Sequence, residues 1–155
     1  AGLTDLDSVV ANGDVTLAVL GGGIESGYAE KLGLTNTVTV DNAQSGMDLV
    51  ANGREDSFAM TAISLNWMAA NNPDAGVETT EAFVQEIDGV PQIGAGSTVF
   101  RTGDTDLLDA YNEQLAKVTG DEQTYLDLVG EYGFTAENLP PADLTTAQLC
   151  AGELS

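Results

Sequence analysis

Three consecutive glycines, Gly21, Gly22 and Gly23, are the first residues whose type and spacing could do chemistry. They sit inside VTLAVLGGGIESGYAEKLG, between an apolar run and a helical pattern. Without side chains they let the backbone turn tightly and let a ligand approach it closely. A helix starting directly after them aims its free N–H groups and the positive end of its dipole at the turn, which attracts carboxylate or phosphate. Gly22, Gly23 and Ile24 are therefore candidate ligand-binding residues through their amides, with Glu25 in the same turn supplying a negative charge. A structural reading accounts for the same residues. Glycine clusters also make plain strand-to-helix connections. With Gly22 as N-cap, Glu25 would stand at the third helical position, where a glutamate caps its own helix. The spacing is neither GxGxxG with a distant ribose-binding acid nor GxxxxGK[ST], which argues against a nucleotide.

The elements that must hold this turn can be read around it. Val15 to Leu20 is a short apolar run of the kind found in a strand covered on both faces. Ile24, Tyr28 and Leu32 recur every four residues on one face of the following helix. Before it, Thr4 or Asp5 caps a short helix through Leu6, Val9 and Val10 that ends near Gly13. After it come a β-branched strand, Thr37 to Val40, and a helix from Ser45 to Asn52 with Met47, Leu49 and Val50 inward. A third strand runs from Ser57 to Ala62, and a helix through Leu65, Trp67 and Met68 stops at Asn71-Asn72-Pro73. The order βαβαβα predicts a parallel sheet, whose ligands bind at the carboxyl ends of the strands. Asn42 lies at such an end and would line the cleft, although Asp-Asn pairs also make turns. Thr61 and Ser64 flank another strand-to-helix junction, with Ser64 as the expected cap. Trp67 reads as core rather than as the wall of a cation cage.

Further on, Thr80 to Ile87 and Ile93 to Arg101 read as extended segments. Asp104 to Lys117 is a helix with Leu107, Leu108, Tyr111 and Leu115 on its apolar face, and Asp106 and Asp109 on its solvated one. Glu122 to Glu131 is another, with Tyr125, Leu128, Val129 and Tyr132 inward, and a short helix closes from Thr145 to Cys150.

Composition removes whole classes of function. Among 155 residues, 25 acids face only Lys31, Arg54, Arg101 and Lys117, a net charge of -21. Such a surface repels nucleic acid and anionic membranes. It suits a solvated protein working at high salt, where repulsion is screened. There is no histidine, which excludes Ser-His-Asp and Cys-His catalysis and His-containing zinc sites. Cys150 is either a small buried hydrophobe or half of a bridge to a partner outside this chain. No run of apolar residues is long enough to span a membrane, and no cofactor or metal is implied. The chain opens AGLTDLDSVV without an initiator methionine, as expected of a piece of a longer protein.

The layout resembles the second half of a type II periplasmic binding protein of the polar amino-acid and compatible-solute group. The likeness rests on LAVLGGGIESGYAEKLG, VDNAQSGMDLVANGREDSFAMTAISLNW, STVFRTGDTDLLDAYNEQL and YLDLVGEYGF, taken in that order. It implies an α/β fold: residues 1–98 as lobe two, a parallel-dominated sheet with flanking helices. Residues 99–155 would be the hinge return and carboxyl-terminal helices of lobe one, whose amino-terminal part would lie outside the chain. TAISLNW and AQLCAG look most like ectoine/hydroxyectoine-binding proteins, and Cys150 would then pair with a cysteine of the missing half.

The implied function is the substrate-binding component of an ABC importer, not an enzyme. Such a protein is expected to be a monomer, periplasmic or extracellular, free or membrane-tethered, with a transporter permease as partner. Amino-acid binders of the family carry an aspartate after G-R-x-D that pairs with the ligand's ammonium, and this chain has Thr61 there. A hydroxyl cannot neutralise that cation. Ectoine, a cyclic zwitterion, would instead turn its carboxylate to the amides of Gly22 to Ile24 and its amidinium to Glu25. Three alternatives share the fold: a polar amino-acid binder, a cyclohexadienyl dehydratase-like enzyme with Glu25 as its acid, and the sensory module of a receptor.

Overall fold

Asp5 accepts the Ser8 amide at 2.7 Å and Ser8 Oγ accepts the Asp5 amide, a capping box that starts α1 (Leu6–Ala11). The structure, a computed structural model, describes residues 2–151. After α1 come β1 (Leu17–Leu20), α2 (Ile24–Lys31), β2 (Thr37–Val40), α3 (Ala43–Ala51), β3 (Ser57–Ala59) and α4 (Ala62–Asn71). This is the βαβαβα order read from the sequence. The three strands form one parallel sheet, ordered β2-β1-β3, and the fold is α/β.

The middle strand shows why its residues are apolar without alternation. Leu17 and Val19 point to one face and pack with Leu6 and Val9 of α1 and Ala29 of α2. Phe58, paired to Ala18, points to the other face and meets α3 at Gly46. The approach is so close that a Cβ on Gly46 would lie 2.6 Å from the Phe58 ring. Covered on both sides, β1 has no face left for water. A polar tie holds the sheet's amino end: the Asp56 carboxylate accepts both the amide and the hydroxyl of Thr16, at 2.8 and 2.9 Å. Those two bonds hold the Asp56 carboxyl below its usual pKa.

The chain divides into two compact units, Ala1–Gln92 and Ile93–Ser155. Unit 1 ends in a small hairpin, β4 (Glu86–Ile87) paired to β5 (Val90–Pro91) through Asp88-Gly89, both at positive φ. That is the Asp-Gly turn whose backbone twist matches the strands it joins. Unit 2 holds α5 (Thr105–Thr119), α6 (Glu122–Val129) and α7 (Thr146–Ala151). Asp121 caps α6 by accepting the Thr124 amide at 2.8 Å. Tyr125 of α6 is buried and meets Phe134 edge-on, at 6.3 Å between ring centroids.

Several expectations need correction. Of the two extended stretches, Thr80 to Ile87 keeps only β4 and Ile93 to Arg101 keeps no strand. Between the two stretches, Gly89 lies in the turn and Pro91 in the second strand of the β4–β5 hairpin. The third strand is shorter than read, because the helix begins at Ala62. Thr61, not Ser64, is the N-cap residue of α4, and Ser64 lies within the helix. Trp67 is 44% exposed and is not core. Helix α2 buries Ala29, while Ile24 is exposed and Tyr28 and Leu32 are half-buried, so the inward face is rotated from the expected one. In unit 2, Leu107, Leu108, Tyr111, Leu115, Leu128 and Tyr132 are exposed rather than inward. Cys150 is an exposed thiol, not a buried hydrophobe. Asp106 and Asp109 are exposed, as the sequence predicts.

Candidate functional site

Register places the candidate residues on one edge. Leu20 pairs with Val40 and Val19 with Ala59, so the three strands end together. Gly22, Asn42 and Thr61 each lie two residues beyond their strand. They precede or begin α2, α3 and α4, whose amino ends therefore gather at the carboxyl edge of the sheet. The amide of Gly21 donates to Val40 O at 2.9 Å and ties the glycine turn to the end of β2.

The glycines have distinct local reasons. Gly22 adopts φ 76°, which side-chain-bearing residues rarely take. At Gly21 a Cβ would come 3.1 Å from Thr39 Cγ2, and at Gly23 one would come 3.1 Å from Leu20 O. The N-cap of α2 is Gly23, one residue later than expected, which moves Glu25 to the second helical position. Glu25 makes no capping bond; Ser26 Oγ instead donates to Gly23 O at 2.8 Å and closes the turn. Ser26, three residues after Gly23, is the sequence signal for this cap position.

The donor set changes accordingly. The Gly23 amide donates to Leu20 O at 3.0 Å and is not free for a ligand. The amides of Gly22, Ile24 and Glu25 have no acceptor among the described residues. The Glu25 carboxylate lies over the turn, with Oε2 3.0 Å from where a Gly23 Cβ would stand. Burial, and after it the negative charge of Glu25, holds the Tyr28 phenol above its usual pKa. One helix start thus joins unspent N–H donors and a carboxylate, which suits the two ends of a zwitterion.

Asn42 is partly committed: its Oδ1 accepts the Ser45 amide at 2.9 Å and the Ser45 hydroxyl at 3.2 Å, leaving its NH2 group as a donor. Thr61 is exposed and its hydroxyl has no partner among the described residues. Gly22, Ile24, Asn42 and Thr61 are all at the surface. Two grooves open elsewhere in unit 1, one of about 490 Å³ beside Asp48, Leu49, Asn52 and Arg54, the other of about 340 Å³ beside α2 and β2. Neither is lined by Gly22, Gly23, Ile24, Glu25, Asn42 or Thr61. Gly22, Ile24, Asn42 and Thr61, exposed along the strand ends, form an open rim where a crevice was expected.

No family model, curated protein or solved structure matches this chain. The rim's chemistry must speak for itself. Among the described residues no group of three or more His, Cys, Asp or Glu side chains is placed to hold a metal ion. Nor is any helix among them long and apolar enough to cross a membrane.

Proposed function

We propose that unit 1 is a ligand-binding lobe of a type II extracytoplasmic solute receptor, serving an ABC importer. Its ligand is a small zwitterion of the ectoine/hydroxyectoine kind. The observation that carries this reading is the pairing of unspent Gly22, Ile24 and Glu25 amides with the Glu25 carboxylate, where α2, α3 and α4 begin on one sheet edge. The ligand's carboxylate takes the amides and its cation takes Glu25. Thr61 offers a hydroxyl at a neighbouring strand end, which hydrogen-bonds but does not compensate an α-ammonium, so ordinary amino acids bind less well. In this reading the open rim is closed by a second lobe hinging over the ligand, and no bond is made or broken.

The test is an amide-resolved NMR titration of this chain with ectoine, hydroxyectoine, glycine betaine and glutamate. Ectoine is expected to shift Gly22, Ile24 and Glu25 together with the Asn42 and Thr61 neighbourhood, and glutamate to shift them less. Ectoine shifts scattered over the acidic surface, or absent at the glycine turn, remove the reading. Glu25→Gln is expected to weaken ectoine binding by about tenfold through loss of a charged partner; a change below about twofold takes Glu25 out of the site.

A further inference from the structure

A separate feature of unit 1 is the outer edge of β2. Asn36 and Val40 give their carbonyls to the Leu17 and Gly21 amides, each at 2.9 Å. Backbone groups alternate sides along a strand, so Thr37 and Thr39 turn their N–H and C=O groups away from β1. Among the described residues β2 pairs with β1 alone, and those groups are left open. Protein edges of this kind are usually blunted by lysine, proline or a bulge. Here the run Leu32 to Val40, LGLTNTVTV, has neither a charge nor a proline, in a chain of net charge -21. Helix α2 packs on β1 through Ala29. The groove of about 340 Å³ opens over Thr37 and Thr39, with Val19, Ala29, Glu30 and Leu34 around it.

We propose that this edge docks an extended segment of a partner protein, added as a fourth strand beside β2. Its alternate residues, small or β-branched, enter the groove, and lysines or arginines flank them. Main-chain bonds to Thr37 and Thr39 supply the affinity, and the groove supplies selectivity for the alternate side chains. Charge decides the occupant. Glu30 stands in the groove, Asp41 follows the strand, and the basic residues of unit 1 are Lys31 and Arg54 alone. A cationic segment is drawn to that surface, whereas a second copy of the chain would oppose it with the same negative charge.

The probe is the synthetic peptide Lys-Lys-Val-Thr-Val-Thr-Val-Lys-Lys, titrated into the intact chain by calorimetry and amide-resolved NMR. Saturable binding is expected, with slowed solvent exchange at the Thr37 and Thr39 amides. N-methylation of the peptide's central amides keeps its charge and side chains and is expected to weaken binding by about tenfold or more. Thr39→Pro removes an outward N–H that β1 does not use, and is expected to weaken binding similarly while the sheet stays intact. Should that variant unfold, the methylated peptide decides alone. Equal binding of parent and methylated peptides would mean bulk charge attraction and overturns the proposal. So does the absence of saturable binding, or a concentration-dependent dimer of the chain that protects the same two amides.

Discussion

Leu17 in β1 and Leu107 in α5 are the same side chain at 2% and 59% exposure. Both stand where the hydrophobic pattern points inward, and only one is inside. The difference lies in how many layers each unit can stack. β1 has helices on both faces and a strand on either side, so every direction from Leu17 meets protein. α5 has α6 and the Thr98–Phe100 stretch beside it, with Tyr111 Oη 2.8 Å from Thr98 Oγ1 and its ring 5.2 Å from that of Phe100. That leaves much of its leucine stripe uncovered. Periodicity tells which face of an element is apolar; it does not tell whether a neighbour is there to cover it.

Mutations can break or sharpen this contrast. The largest effect is expected from Leu17→Ala, about 3 kcal/mol of lost stability, because the core around a middle strand cannot collapse into the gap. Chemical denaturation that follows a unit 1 signal checks it; a loss below about 1 kcal/mol would mean the core is loose. Next, Gly46→Ala forces a methyl against the Phe58 ring and is expected to cost about 2 kcal/mol, partly recovered by adding Phe58→Leu.

Acid should also separate the units. Asp56 has a lowered pKa in the folded chain, so its contribution is complete above the ordinary carboxylate range and is lost as pH falls through the lowered value. Asp56→Asn is expected to flatten the acid limb of the unit 1 unfolding curve. Asp121→Asn, at the α6 cap, removes another lowered carboxyl and should flatten only the helical signal of unit 2. Equal flattening by both variants at a unit 1 probe would erase the distinction. Salt acts on the whole chain: raising it from about 0.1 M to about 1 M shortens screening from about 10 Å to about 3 Å. With 25 acids and four basic residues, thermal stability is expected to rise. The smallest effect belongs to Leu107→Ser, under about 0.5 kcal/mol, since that side chain is already in water.

Local chemistry was legible wherever neighbours in sequence decide it. TVTV marks β2 at its observed bounds, Asp5, one of the two candidates, caps α1, and the glycine triplet separates β1 from α2. The common edge of Gly22, Asn42 and Thr61 followed from the βαβαβα order, because parallel strands joined by helices end on the same side. The spending of individual donors was not legible. Whether Gly23 or Ile24 keeps a free amide depends on one residue's shift of the N-cap: here Gly23 is the cap and its amide is spent on Leu20 O.

What the sequence by itself determined is the alternation of apolar and glycine-capped segments, and with it an α/β chain whose helices start beside strand ends. It also determined the charge, which no folding can alter. Only the tertiary structure decided which apolar stripes are buried and, among the described residues, which backbone donors remain unspent and that β2 stands at an open edge. Those outcomes depend on contacts between segments far apart in the chain, such as Thr16 with Asp56 and Gly46 with Phe58. No local pattern encodes such contacts, because either partner would look the same without the other.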